Sequence, residues 1–196
     1  MNKIAIFASG NGTNAENIIK YFKNNKAVEV ALVCTNNPKA KVIQRASNLN
    51  TNSFIFHKKE LSDSSIVLDK LKENKIDFIV LAGFMLLIPS TIIEYFPNRI
   101  INIHPALLPK YGGKGMYGDN VHKAVLTNNE SETGITIHYV NEKYDEGDII
   151  FQIKCNVDPS NDSINDVANK VHLFEYKYYP KIIEQLLTKF LLKKEK

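Results

Sequence analysis

Asn102 and His104, in the segment Asn102-Ile103-His104-Pro105, form the pair whose types and spacing best suit proton chemistry in this sequence. In an extended segment side chains at i and i+2 share a face, so amide and imidazole converge on one spot. A neutral imidazole accepts a proton from an attacking amine. A protonated one donates to a developing oxyanion, with the amide N–H₂ as second donor. An isolated histidine before a proline turn can also simply satisfy backbone groups.

Three other segments could join this pair. Ser9-Gly10-Asn11-Gly12-Thr13-Asn14 leaves a strand-like run and opens a helix-like one. Such a turn either uses its glycines for backbone shape alone or offers a phosphate unpaired N–H groups and the positive end of a helix. It lacks the Lys-Ser/Thr ending of a P-loop and the full dinucleotide spacing. The charged turn Asn141–Asp148 contains Asp145, whose carboxylate is either plain surface or a partner that raises the His104 pKa by charge pairing. Before it, Thr136 and His138 share one face of an alternating stretch and read as supporting residues. Leu81 to Pro89, with Met85, Leu86, Leu87 and Ile88, is core or an apolar slot for a flat heterocycle.

These groups are far apart in sequence, so the elements between them must bring them together. Apolar runs at Ile4–Ala8, Val28–Cys34, Ser53–Phe56, Phe78–Ala82 and Ile100–Ile103 read as buried strands. Helix-like stretches lie between them at Asn14–Phe22, Ala40–Asn48 and Ser62–Glu73. This alternation predicts an α/β fold with a mostly parallel, Rossmann-like open sheet and helices on both faces. Its ligands should gather at the C-terminal strand edge, where Asn102 and His104 stand. Gly134–Val140 and Ile149–Val157 are separated by a turn too short for a crossover, and should pair antiparallel. From Asp162 the spacing is helical again, with Ser163 a cap and Pro180 an expected kink or break; Lys110–Asn120 is a long glycine-rich loop.

Composition narrows the classes further. At 196 residues and 44% hydrophobic, the chain suits one domain spanning 1–196 with one substantial core. The net charge of +4 is spread along the sequence and is almost entirely lysine, with Arg45 and Arg99 the exceptions, so no nucleic-acid stripe is expected. Cys34 and Cys155 form neither a disulfide framework nor a metal spacing, and no metal is expected. The N-terminus lacks the apolar stretch of a signal peptide and no segment has membrane-spanning length, so the expected location is cytoplasmic, without membrane partners.

Taken in order, Ser-Gly-Asn-Gly-Thr-Asn at 9–14, Leu-Ala-Gly-Phe-Met at 81–85, Ile-Asn-Ile-His-Pro-Ala-Leu-Leu-Pro at 101–109, Gly-Ile-Thr-Ile-His at 134–138 and Asp-Glu-Gly at 145–147 resemble the glycinamide ribonucleotide formyltransferase family over nearly the whole chain. The resemblance implies the formyltransferase fold and the transfer of a formyl group from 10-formyltetrahydrofolate, a co-substrate, to glycinamide ribonucleotide in purine biosynthesis. Both partners are small molecules, and the protein would act as a monomer or homodimer. It implies that Gly12, Thr13 and Asn14 hold the phosphate, with Glu175 and the nearby His172 at the ribose. Met85, Leu86, Leu87 and Ile88, together with Asn102 and Asp145, would line the folate pocket. Asn102, His104 and Asp145 would be the catalytic set, with Asp145 keeping His104 protonated.

The sequence also departs from that pattern. Family members often carry Arg where Leu86 stands and a basic residue near Ser65, so the folate tail must rely on Lys58 or Lys59 or be bound more weakly. The loop at 110–120 is longer and is expected to act as a mobile lid. Methionyl-tRNA formyltransferases share Asn-x-His and the following Asp but carry a further tRNA-binding domain, and formyltetrahydrofolate hydrolases an N-terminal regulatory one. A non-catalytic nucleotide-binding module would have no use for all three polar groups.

Overall fold

The computed structural model describes residues 1–62 and 64–194. One seven-stranded sheet runs through it: β1 (Asn2–Phe7), β2 (Val28–Thr35), β3 (Ser53–Ile55), β4 (Phe78–Leu81), β5 (Ile100–His104), β6 (Glu132–Tyr139) and β7 (Ile149–Asn156), in the order β3-β2-β1-β4-β5-β6-β7. The first five strands are parallel, while β6 pairs antiparallel with β5, and β7 with β6. The fold class and the antiparallel end therefore match expectation. Among the described residues the helices are α1 (Thr13–Phe22), α2 (Lys41–Asn48), α3 (Lys58–Ser62), α4 (Ser64–Glu73), α5 (Ser90–Tyr95), α6 (Asp119–Thr127) and α7 (Ile164–Lys194). The helix expected at Ser62–Glu73 corresponds to the end of α3 and to α4, and position 63 lies outside the described residues. Periodicity did not pick out α3, α5 or α6; α3 and α5, at 5 and 6 residues, complete too few turns to repeat an apolar stripe, and α6 begins inside the segment read as a glycine-rich loop.

Strand alternation sorts the core into two halves. Ile4 and Ile6 of β1 face one side with Val80, Ile101, Ile103, Ile135 and Ile137, under α1, α2, α6 and α7. Ala5 and Phe7 face the other with Ile79, Leu81 and Ile100, under α3, α4 and α5. On β5 the row begun by Ile100 continues as Asn102 and His104, so these polar residues leave the second core half at the C-terminal edge. The chain moves outward from β1 in both directions, to β2 and to β4. The C-terminal ends of β1 and β4 flank the switch point where open α/β sheets bind ligands.

Pro180 neither ends nor divides α7, contrary to the expected break. Proline has no N–H, so the carbonyl of Tyr176, four residues earlier, loses its helical donor. Asn17 on α1 supplies it, Nδ2 donating to that carbonyl at 3.0 Å. Next to the proline, Tyr179 is wholly buried and its hydroxyl donates to the Leu81 carbonyl at 2.8 Å, tying α7 to the end of β4. At the turn between β1 and α1, Gly12 has φ +74°, and a Cβ there would lie 2.4 Å from Val42 Cβ, so α2 packs against bare backbone.

Asn17→Leu is expected to cost about 1 kcal/mol by chemical denaturation, and that cost should shrink in a Pro180→Ala background, where the helix regains its own donor. Gly12→Ala should cost roughly 2 kcal/mol or more, because it meets both the left-handed backbone and the Val42 side chain.

Candidate active site

The β5–β6 register sets Asn102 opposite His138 and His104 opposite Thr136. Asp145 arrives from the β6–β7 turn with φ 57°, a left-handed conformation that aspartate tolerates better than most residues. The turn closes tightly: a Cβ on Gly147 would lie 1.8 Å from the Tyr139 carbonyl oxygen. Asp145 Oδ2 stands 3.5 Å from His104 Nδ1 and accepts the Gly113 N–H at 2.9 Å, while its Oδ1 lies 3.3 Å from Asn102 Nδ2 and 3.6 Å from His138 Nε2. The three expected catalytic groups therefore converge.

Hydrogen-bond logic fixes the roles. His138 Nδ1 lies 2.8 Å from the Tyr139 carbonyl and donates to it, and its Nε2 faces Asn102 Nδ2 at 3.1 Å and Asp145 Oδ1 at 3.6 Å. The two N–H bonds of the Asn102 amide are thus turned toward His138 and Asp145. His104 Nε2, 2.7 Å from the Tyr111 carbonyl, must likewise donate, so the lone pair of the neutral ring is on Nδ1, facing Asp145. Burial pushes the His104 imidazole below its ordinary value. The Asp145 charge and the Tyr111 carbonyl pull it up, but only partly. Asp145 thus acts on His104 in the expected direction, but burial acts more strongly and favours the neutral resting ring near pH 7. Burial also raises Asp145, but the His138 ring, His104 and the Gly113 N–H outweigh it and hold the carboxyl below the usual range.

Thr136 is fully buried and does not reach the cleft; its hydroxyl donates to the Ala106 carbonyl at 2.7 Å and accepts the Leu108 N–H at 3.1 Å, fixing the turn after His104. His138 supports more directly, as above.

A cavity of about 540 Å³ runs from Gly10–Asn14 past Asn102, His104 and Asp145 to Phe84 and Met85. Arg45 fixes its far end by donating to the Asn11 carbonyl at 2.9 Å and by pairing with Glu16. Asn14 Nδ2 donates to Glu175 Oε2 at 2.8 Å, and His172 Nδ1 sits 2.8 Å from the same oxygen, so Gly12, Thr13, Asn14, His172 and Glu175 do share one end. Leu86, Leu87 and Ile88 line a smaller adjoining cavity of about 50 Å³ with Phe84, His138 and Val140. The two cavities share Phe84, Asn102, Tyr144 and Asp145, which makes the apolar slot continuous with the catalytic groups. Lys58 and Lys59 stand on α3, outside the lining of both.

Sequence reasoning missed three contributors. Tyr111 and Gly113 act through backbone atoms, which side-chain identity does not reveal, although they lie in the glycine-rich loop that stood out. His122, on α6, lines the large cavity, and a lone histidine on a short helix gave no signal. Among the described residues no group of His, Cys, Asp and Glu could hold a metal ion, and no helix is long and apolar enough to cross a membrane.

The sequence and the architecture have counterparts among known proteins. The formyl transferase family model matches residues 2–183. The phosphoribosylglycinamide formyltransferase of Bacillus subtilis is 37% identical over 192 residues, 95% of each chain. That of Haemophilus influenzae is 34% identical over 94% of this chain and 86% of its own. The crystal structure of the Bacillus halodurans phosphoribosylglycinamide formyltransferase superposes with a TM-score of 0.85, at 37% identity and 96% coverage of both chains. With the model spanning nearly the whole chain and relatives matching end to end, this protein belongs to the formyl transferase family, among the phosphoribosylglycinamide formyltransferases.

Proposed function

We propose that this protein, acting as one domain, transfers the formyl group of 10-formyltetrahydrofolate to the amine of phosphoribosylglycinamide, which is glycinamide ribonucleotide, giving the formylated ribonucleotide and tetrahydrofolate. One observation carries the assignment of roles. Asn102, His104 and Asp145 meet along a cleft with an anion-suited helix start at one end and an adjoining slot lined by Leu86, Leu87 and Ile88.

Gly12, Thr13 and Asn14 present the α1 N-terminus to the phosphate, with His172 and Glu175 at the ribose. Met85, Leu86, Leu87 and Ile88 form the pterin slot, and Lys58 or Lys59 reaches the glutamate tail. The substrate amine adds to the formyl carbon, and the carbonyl pair moves onto oxygen. Asn102 turns the N–H engaged at 3.3 Å with Asp145 toward that oxyanion. His104 Nδ1 takes the ammonium proton, and Asp145, 3.5 Å away, stabilises the imidazolium. His104 returns the proton to the folate nitrogen as its bond to the formyl carbon breaks. The loop at 110–118 is the lid of this cleft, since Tyr111 and Gly113 hold His104 and Asp145. Two buried unpaired thiols, Cys34 and Cys155, suit a cytoplasmic setting.

Purified protein given both substrates should form the formylated ribonucleotide, and should release no formate when the ribonucleotide is left out. His104→Ala should lower kcat by about 10²–10⁴ while Kd for each substrate changes little. Turnover without the ribonucleotide would show a hydrolase instead.

A neutral acceptor makes kcat/KM rise with pH through the His104 pKa, which lies below that of an ordinary imidazole, and level off above it. Because Asp145 raises that pKa, Asp145→Asn should move the acid limb to lower pH as well as slow the reaction. A limb that falls with rising pH across this range contradicts the neutral acceptor.

A further inference from the structure

The large cavity is poor in fixed positive charge. Among the described residues lining it, Lys114, exposed on the 110–118 loop, is the one lysine or arginine, against the carboxylates of Asp145 and Glu175. A phosphate monoester brings roughly 1.5 to 2 negative charges near neutral pH, and a helix start offers only about half a positive charge. Imidazoles must make up the difference, and three line the cavity: His104, His122 and His172.

Two of them are committed. His104 is held between the Tyr111 carbonyl and Asp145, and His172 is paired with Glu175 at 2.8 Å. His122, on the inner face of α6, is 2% exposed, and its Nδ1 has no hydrogen-bond partner among the described residues. Asn14 Oδ1, at the start of α1, is also buried without a partner. Both residues line the cavity, the His122 nitrogen suited to an anion and the Asn14 oxygen, an acceptor, to a ribose hydroxyl. The charged and titratable groups around His122 are His172 and Glu175 on α7, Asp119 on its own helix and His104 on β5. Burial and the two imidazoles disfavour its charged form more than the two carboxylates favour it, so the ring rests neutral.

We propose that His122 is a further binding residue for the phosphorylated ribose and takes up a proton as the phosphate docks. The proposal rests on the assignment of the ribonucleotide phosphate to Gly12–Asn14. An arriving dianion supplies the opposite charge that the resting cavity lacks, and it favours the imidazolium. His122 thereby becomes a cation only when there is an anion to meet.

The test is calorimetric titration of the full chain with glycinamide ribonucleotide, and with ribose 5-phosphate, at about pH 7.5 in buffers of different ionisation heat. The wild type should take up protons on binding. His122→Asn and, in parallel, His122→Gln should bind the ribonucleotide about tenfold or more weakly and take up fewer protons, with folate-analogue affinity and Tm retained. Comparing variant with wild type cancels the proton uptake of the phosphate itself. A ribonucleotide Kd within twofold of wild type, unchanged uptake, or an equal loss of folate-analogue affinity in the folded variants overturns the proposal. A wild type that binds neither phosphate compound overturns both this inference and the function on which it rests.

Discussion

A carboxylate taken out of water has to be matched on every side, and the arrangement of this cleft follows from matching Asp145. With its side chain 11% exposed, it accepts from the β5 amide of Asn102 and from the Gly113 N–H of the 110–118 loop, with the imidazoles of His104 and His138 at 3.5 and 3.6 Å. The two imidazoles are themselves anchored to backbone, His104 on Tyr111 and His138 on Tyr139. The network therefore has little freedom. A shift in any one element would leave a buried charge short of a partner.

The same network explains why burial and function coincide. Burial keeps His104 neutral and able to take a proton, while the neighbouring charge is ready for the moment the ring becomes positive. An exposed pair at the same 3.5 Å would be screened and would gain little. The scaffold supporting it is bonded across the sheet. Tyr179 on α7 donates to the end of β4, Asn17 on α1 repairs the helix at Pro180, and Thr136 fixes the turn that follows His104. These contacts lie away from the chemistry and hold the C-terminal strand ends in place.

Much of this was legible in the sequence because short-range rules carry it. Apolar runs alternating with helical spacing gave the parallel strands, and the short turn at 141–148 required an antiparallel return. The i, i+2 relation placed Asn102 with His104, and Thr136 with His138. The rules failed where a long-range partner overrode a local preference. Pro180 should interrupt a helix, and does not, because an amide 163 residues earlier in the chain replaces the lost donor. The short helices α3 and α5 owe their place to the sheet they cover, not to a stripe long enough to read.

By itself the sequence determined the alternation of elements, the side of the strand on which each polar residue stands and the identity of the groups able to move a proton, since these depend on stereochemistry within a few residues. Only the tertiary structure decided their protonation and their partners. Those depend on desolvation and on charges brought together from β5, the turn after β6, the 110–118 loop and α6, and such distances exist only once the chain has folded.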